Sequence, residues 1–182
     1  MPIRINSQTK LTYDDYVLFP EDGRRHELVD GEHIVNPAPD TYHQKVSRKI
    51  QFQLFRQIEE GGLGEVYNAP TDLQFTEIDV VQPDLIVVLA ARTRIITPKK
   101  IKGVPDLVVE IISPSTERND RNLKKGLYER AGVPEYWIVD PEEHVVEQCV
   151  LRNDAFELAG KHEESVAFQQ LEGVTVDLTK VW

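Results

Sequence analysis

The sequence contains a single cysteine, Cys149, among 182 residues. An internal disulfide therefore cannot form, and a zinc site built from several thiolates is excluded. No uncharged run approaches the length of a bilayer span, and residues 1–10 lack the apolar core of a signal peptide. These absences predict a cytoplasmic protein that does not engage a membrane.

Two common catalytic motifs are also missing. The chain has neither a GxxxxGK[ST] phosphate loop nor a GxSxG nucleophile turn, so nucleotide-fuelled and serine-hydrolase chemistry have no support. Basic residues are few, with 21 Lys and Arg against 31 Asp and Glu and a net charge of -10. This balance opposes binding to a polyanion, because such affinity comes mainly from Lys and Arg.

The stretch 92–130 reverses the balance, with ten basic and five acidic residues. Such asymmetry permits a basic working face on an acidic body, although a solvated surface is the commoner explanation. The composition, 40% hydrophobic and 29% charged, is that of an ordinary globular protein. We expect one domain over residues 1–182, with a core over about 11–141 and a C-terminal β extension over 142–182.

The first third of the chain predicts a short helix, a hairpin and a long helix. Thr12 lies three residues before Asp15 and caps a helix that ends before Pro20. The Asp-Gly pair between RHELV and EHIVN is a strong hairpin signal. Apolar residues recur at every fourth position from 46 to 58, which predicts an amphipathic helix over residues 40–60.

Four later runs are typical of strands: EVYN, DLQF, DLIVVL and DLVVEII. The last two are nearly continuous apolar runs, which suit strands buried on both faces. Between them lies RTRIITPKKIKG, which is polar, basic and interrupted by proline. We interpret it as a surface connection with a short helical turn and as a candidate substrate-facing loop.

The segment after residues 113–116 is helical in composition and ends at Gly132, and EYWIVD follows as a strand. The tail contains HVVEQCVL, AFELAG, SVAFQQ and VTVDLTKVW, short runs that predict a β meander. The predicted fold is α/β (α+β), with a mixed β-sheet core flanked by helices and a C-terminal meander.

Two acidic residues stand within the apolar runs. Asp84 opens one run, and Glu110 lies inside VVEII, where a carboxylate is out of place unless it is paired or bound to a metal. Neighbouring strands lie about 4.8 Å apart, so both carboxylates could reach one Mg²⁺ or Mn²⁺ ion. The structural alternative is that Glu110 pairs with a core Lys or Arg and Asp84 caps its strand. Spacing alone does not decide between the two.

Lys124 and Lys125 lie on the helix predicted after the strand of Glu110, which can fold back over the same end of the sheet. A helical lysine is usually just solvated. Two carboxylates and an ammonium, however, are the groups that metal-assisted phosphodiester hydrolysis requires.

The motifs occur in a recognisable order: HELVDGE, a helix beginning near residue 43, QPDLIVV, PDLVVEIISPST, a helical stretch from residue 120 to 128, and AGVPEYWIVDP. This order resembles the Uma-type restriction endonuclease family of the PD-(D/E)XK nuclease superfamily, over about residues 11–141. The resemblance implies a restriction-endonuclease-like fold, a divalent metal ion and a DNA substrate. It also makes a homodimer reasonable, because this superfamily often cuts duplexes with paired sites.

The resemblance also implies the metal ligands. Asp84 matches the motif aspartate and Glu110 the motif glutamate, and the carbonyl of Ile111 is a further ligand. Glu27, in HELVDGE, is similar to the family's N-terminal acid.

The lysine of the superfamily normally lies two residues after the glutamate, where this chain has Ile112. The resemblance assigns the role to Lys124 of the following helix, with Lys125 as the alternative. His43 and Tyr128 match recurrent family positions, although a helix cap and a core tyrosine explain them equally well.

The sequence thus predicts a Mg²⁺-dependent endonuclease that hydrolyses DNA phosphodiester bonds, with Mn²⁺ as a substitute ion. The alternative is a catalytically silent module with the nuclease fold, which serves protein association or nucleic-acid binding. The isoleucine at position 112 and the acidic composition favour that alternative. Binding of a divalent ion that is lost on substitution of Asp84 or Glu110 discriminates the two.

Overall fold

The computed structural model describes residues 10–182, so the prediction about a signal segment in residues 1–10 lies almost wholly outside the described part. The centre of the fold is a six-stranded sheet. Its strands, numbered along the chain and given in spatial order, are β11 (Ala155–His162), β10 (Val145–Arg152), β9 (Glu135–Asp140), β8 (Leu107–Ile111), β6 (Leu85–Leu89) and β3 (Gly64–Asn68). The sheet is mixed because β8 and β9 run parallel and the other neighbours run antiparallel.

A second sheet lies over one face of the first. Its strands, in spatial order, are β2 (Glu32–Asn36), β1 (Arg25–Val29), β5 (Asp79–Val81), β4 (Leu73–Thr76) and β7 (Ile101–Lys102). The predicted hairpin is confirmed as β1 and β2. Its two turn residues, Asp30 and Gly31, have φ of 51° and 75°, the positive values that a tight two-residue turn requires.

The helices begin and end close to the predicted positions. They are α1 (Tyr13–Tyr16), α2 (Thr41–Leu54) and α3 (Lys125–Ala131). α2 continues as a π-helical turn over Phe55–Glu59, and another π-helical segment, Asn119–Lys124, leads into α3. The Asp40 side chain accepts the His43 N–H at the start of α2, and Gly132 ends α3 with φ of 81°. These capping contacts confirm both predicted boundaries.

Both faces of the central sheet are buried, as the continuous apolar runs predicted. Alternate side chains of β6 point to opposite faces. Leu85 and Val87 pack under α2 in one core cluster, whereas Ile86 and Val88 pack in a second cluster with the five-stranded sheet and α3. The mixed α+β fold with multi-stranded sheets is therefore confirmed.

The tail differs from the predicted meander in one respect. β9, β10 and β11 pair consecutively and antiparallel, as a meander does. The last two runs instead pair with each other as β12 (Ser165–Ala167) and β13 (Thr175–Asp177), because their apolar residues pack against α2 in the first core cluster. A short 3-10 turn, Leu178–Lys180, follows. Between residues 10 and 182 no helix is both long and apolar enough to cross a membrane.

Candidate functional site

The register of the central sheet places Asp84 opposite Glu110. β6 and β8 are antiparallel, with Leu85 paired to Val109. One step further along the same register, Asp84 faces Glu110, and directly opposed residues point to the same face of a sheet. The Ile111 N–H donates to Asp84 Oδ2 at 2.8 Å, which fixes the aspartate at the end of β6. The prediction that the two acids lie on adjacent strands is confirmed.

Asp84 is nearly fully buried and is held by donors from three elements. Its Oδ1 accepts from Arg25 Nη1 at 2.7 Å and from His43 Nε2 at 3.0 Å. The hydrogen bond from His43 and the charge of Arg25 overcome the burial of this carboxyl and lower its pKa to about 2. Asp84 is therefore ionised at neutral pH.

Glu110 is equally buried and contacts α3 and the π-helical segment before it. Its Oε1 accepts from Lys124 Nζ at 3.0 Å and from the Tyr128 hydroxyl at 2.6 Å. Burial raises the pKa of Glu110 to about 8 despite the nearby ammonium, and the negative charges of Asp120 and Asp84 raise it further. This carboxylate is thus held in an environment that disfavours its ionised form.

Lys124 connects three carboxylates. Its Nζ lies 3.0 Å from Glu27 Oε2, 3.0 Å from Glu110 Oε1 and 3.5 Å from Asp120 Oδ1. Burial alone would lower the pKa of this lysine, but the three acids raise it well above its ordinary value. Lys124 therefore remains a cation although only 2% of its surface is exposed.

The buried cluster has more negative than positive groups. Its four carboxylates are those of Glu27, Asp84, Glu110 and Asp120, and its two permanent cations are Arg25 and Lys124. When all four carboxylates are ionised, their charge exceeds that of the two permanent cations by two. Such an excess is costly in a protein interior, so either protons or a cation must balance it.

A cleft of about 260 Å³ opens onto this cluster. Its charged lining residues are Arg25, Asp40, Asp84, Glu110, Asp120 and Lys124, joined by His43 and by residues 113–116. The Asp84 carboxylate has roughly four acceptor positions. Arg25, His43 and the Ile111 N–H occupy three of them, so one remains free. Glu110 Oε2 accepts no hydrogen bond from residues 10–182. Both carboxylates thus line the cleft, and each keeps acceptor capacity that the described residues do not use.

These oxygens suit a hard divalent ion. Within the described chain no group of three or more His, Cys, Asp or Glu side chains is arranged as a metal cage. Mg²⁺ is commonly held by one or two carboxylates and several waters, which matches Asp84 and Glu110. The carbonyl of Ile111 points to the same side of its strand as the Ile111 N–H, which donates to Asp84. This carbonyl is therefore directed towards the strand that Asp84 precedes.

Glu27 fits the ion less well than the sequence suggested. It is fully buried and does not line the cleft. Its oxygens already accept from Asn36 Nδ2 at 2.6 Å, from the Gln82 N–H at 2.8 Å and from Lys124. Its geometry is that of an acid that positions the lysine.

Two groups that the sequence analysis considered do not reach the cleft. Lys125 is half-exposed and does not line the cleft, because the adjacent residue of a helix points about 100° away from Lys124. The candidate substrate-facing loop, residues 92–103, lies at the other end of the sheet. It follows the last residue of β6, whereas Asp84 precedes the first residue of that strand. The basic residues of that loop therefore do not serve the cleft.

His43 and Tyr128 are brought to the acids, but on different sides. His43 lines the cleft beside Asp84, whereas Tyr128 is sealed in the core behind Glu110. Ile112 packs in the second core cluster, and the ammonium beside Glu110 comes from Lys124 instead.

Arg25 and Asp120 are site residues that the sequence analysis did not identify. The spacing of four between Asp120 and Lys124 is a usable signal for a helical ion pair. Arg25 gives no such signal, because its contact with Asp84 spans 59 positions and depends on the packing of the two sheets.

The central sheet thus brings two buried acids together at one cleft. The Uma2 family model, described as "Putative restriction endonuclease", matches residues 13–179. The chain belongs to this family, and restriction-endonuclease-like proteins generally use divalent metal ions.

One relative and one solved structure are also similar to this chain. The uncharacterized protein slr1290 of Synechocystis sp. (strain PCC 6803) is 32% identical over 121 residues, which cover 65% of this chain and 62% of that protein. A crystal structure described as a putative nuclease belonging to DUF820, from Anabaena variabilis ATCC 29413, superposes with a TM-score of 0.75 at 18% identity. The superposition covers 94% of this chain and 97% of that one, and at this identity it establishes the fold.

Proposed function

We propose that this protein is a Mg²⁺-dependent endonuclease that hydrolyses DNA phosphodiester bonds at the cleft beside Asp84 and Glu110. The observation that carries the proposal is the buried cluster of four carboxylates and two cations that opens onto this cleft. One divalent ion would neutralise the two surplus negative charges of the cluster. Membership of the restriction endonuclease family supplies the reaction class.

The proposed ligands are the carboxylates of Asp84 and Glu110 and the carbonyl of Ile111. A bound Mg²⁺ supplies Lewis-acid activation of the phosphate and lowers the pKa of a water ligand. Mn²⁺ has similar oxygen preferences and should replace it. Glu27 then acts as a positioning residue, because it holds Lys124 from the side opposite the cleft.

The two cations of the cluster are the groups that can offset charge on a phosphate in the cleft. Arg25 and Lys124 both line it. Their partner carboxylates hold them in place, so little reorganisation is needed when negative charge develops in the transition state. His43 donates to Asp84 and thereby fixes the orientation of that carboxylate.

The competing function is a silent module with the nuclease fold. Two contacts favour it: Asp84 Oδ1 is already occupied by Arg25 and His43, and the Lys124 ammonium is surrounded by carboxylates. Such a cluster could be purely structural, with protons on some acids. In that case it would need no divalent ion.

The test is cleavage of supercoiled plasmid, linear duplex and single-stranded DNA in Mg²⁺ or Mn²⁺, with chelator as the first control. Asp84→Asn and Glu110→Gln keep the size of each side chain and remove its charge. We expect both variants and the chelator to reduce cleavage to background, and Lys125→Gln to cleave as the wild type. Cleavage that survives Asp84→Asn in a folded protein contradicts the assigned site. A wild type that cleaves no substrate and binds no Mg²⁺ supports the silent module.

Two further features belong to the same proposal. Residues 1–182 would form one nuclease domain, in which the tail after residue 141 is a β extension. A homodimer with paired sites would suit cleavage of both strands of a duplex. Sedimentation of the purified chain tests the second feature.

A further inference from the structure

Helix α2 carries a stripe of aromatic and basic side chains on its outer surface. The stripe consists of Tyr42, Lys45, Lys49 and Phe52 of α2 and Arg56 of the π-helical turn that continues it, at alternating spacings of three and four residues. Residues at these spacings lie on one side of a helix. The buried residues of α2, such as Val46 and Ile50, lie on the opposite side. The stripe is therefore directed away from the core.

The charge of α2 is opposite to that of the whole chain. Its segment Thr41–Leu54 has three basic residues and no acidic one, on a chain with a net charge of -10. Among residues 10–182, neither Lys45 nor Arg48 has a carboxylate within ion-pairing distance. At the far end of the stripe, Arg56 is 3.8 Å from Glu60. Because acidic residues outnumber basic ones in this protein, unpaired cations on one helix favour an anionic partner.

Exposed aromatic rings accompany these cations. Phe52 is 59% exposed, and the Arg56 guanidinium lies 5.9 Å from its ring centre. A groove of about 770 Å³ borders the stripe, and its basic lining residues are Arg48, Lys49, Arg56 and Lys180. Aromatic rings among basic side chains are typical of surfaces that bind single-stranded nucleic acid, where bases stack on the rings and phosphates contact the cations.

The stripe begins one residue before His43, whose side chain contacts Asp84 at the cleft. Tyr42 itself does not line the cleft, and its hydroxyl lies 3.2 Å from His144 Nε2. From Tyr42 to Arg56 the helix rises by about 21 Å.

We propose that α2 is a binding track for an unpaired strand of the nucleic-acid substrate, which leads that strand towards the cleft. Phosphates contact Lys45, Arg48 and Arg56, and a base stacks on Phe52. The binding site itself depends only on the stripe and on Arg48, which lies beside it on α2 and lines the groove, whereas its use in cleavage rests on the proposed nuclease function.

The experiment measures binding of fluorescein-labelled oligothymidylate by fluorescence anisotropy, with chelator present so that no cleavage occurs. The test variant is Lys45→Glu with Arg48→Glu. The matched control is Arg94→Glu with Lys99→Glu, which makes the same charge change at exposed positions at the other end of the central sheet. We expect at least a tenfold loss of affinity in the test variant and less than a twofold loss in the control. The slope of log affinity against log salt should become shallower by about 1.4 in the test variant, for two lost phosphate contacts.

The stacking contact has its own pair of variants. Phe52→Ala should lose roughly 5- to 150-fold in affinity for the single strand, and Phe52→Tyr should retain it because the ring is kept. Duplex of the same sequence should be affected less by Phe52→Ala, since its bases are already stacked.

Equal binding by the wild type and the Lys45/Arg48 variant overturns the proposal, as does a wild type that binds no oligonucleotide. Unchanged binding together with a shift from dimer to monomer in the variant overturns it in favour of a second copy of this chain on α2. Binding that depends on α2 in a protein that cleaves nothing supports the track and contradicts the proposed nuclease function alone.

Discussion

Replacement of Lys124 by methionine should destabilise the protein strongly. Methionine retains most of the volume of lysine but removes the ammonium that contacts Glu27, Glu110 and Asp120 within 3.0 to 3.5 Å. The three acids would then remain in a buried cluster whose remaining permanent cation is Arg25. Loss of one partner from a buried ion pair costs about 3–5 kcal/mol, because the remaining charge is left uncompensated.

The assay is thermal and urea unfolding of Lys124→Met at pH 8 in the presence of chelator. A loss of about 3–5 kcal/mol corresponds to a fall in Tm of about 6–20 °C for a chain of this size. Lys125→Met is the matched control, because this neighbour is half-exposed and has no carboxylate partner among residues 10–182. It should change the free energy of unfolding by less than about 0.5 kcal/mol. A loss below about 1 kcal/mol in Lys124→Met would refute the view that this ammonium neutralises the cluster.

Other perturbations of the cluster and the core have equally definite outcomes. Burial raises the pKa of Glu110 from 4.5 to about 8. Its contribution to stability is therefore complete below about pH 4.5 and is lost as pH rises through about 8. Glu110→Gln should remove this fall in unfolding free energy with pH, as measured by urea titrations in chelator. Mg²⁺ should raise the Tm of the wild type but not of Asp84→Asn, as scanning calorimetry at several ion concentrations would show, and an equal rise in both would exclude Asp84 as a ligand. Tyr128→Phe removes the donor to Glu110 and should cost about 1.5–3 kcal/mol of unfolding free energy in chelator, with an unchanged value contradicting the hydrogen bond. Ile50→Ala, on the buried side of α2, should lower the free energy of unfolding by about 2–5 kcal/mol in urea. Mg²⁺ binding by the folded fraction should be unchanged.

Local signals in the sequence predicted most of the elements. The helix cap at Asp40, the turn at Asp30 and Gly31, and the end of α3 at Gly132 all depend on residues within a few positions of one another. Patterns of that range are readable without the fold. The short strands β5 and β7 were not predicted, because two or three residues are too few to show a period.

The carboxylates of the candidate site were predictable for a different reason. A buried acid in an apolar run conflicts with its surroundings, which makes Asp84 and Glu110 stand out in the sequence. Arg25 does not stand out, because it lies at the start of an edge hairpin and reaches Asp84 only after the two sheets pack. The position of the basic loop was misjudged for a similar reason. Its charge suggested a role in substrate binding, but the antiparallel pairing of β6 and β8 places it at the end of the sheet away from the cleft.

The central claim is that the surplus charge of the buried cluster is neutralised by a divalent ion at Asp84 and Glu110. The most direct test is the number of Mn²⁺ ions bound per chain, measured by electron paramagnetic resonance of free Mn²⁺ in a titration at pH 7.5. The account predicts at least one ion bound by the wild type, lost in both Asp84→Asn and Glu110→Gln and retained in Lys125→Gln. A wild type that binds no ion, or an ion that remains in both carboxylate variants, would contradict it.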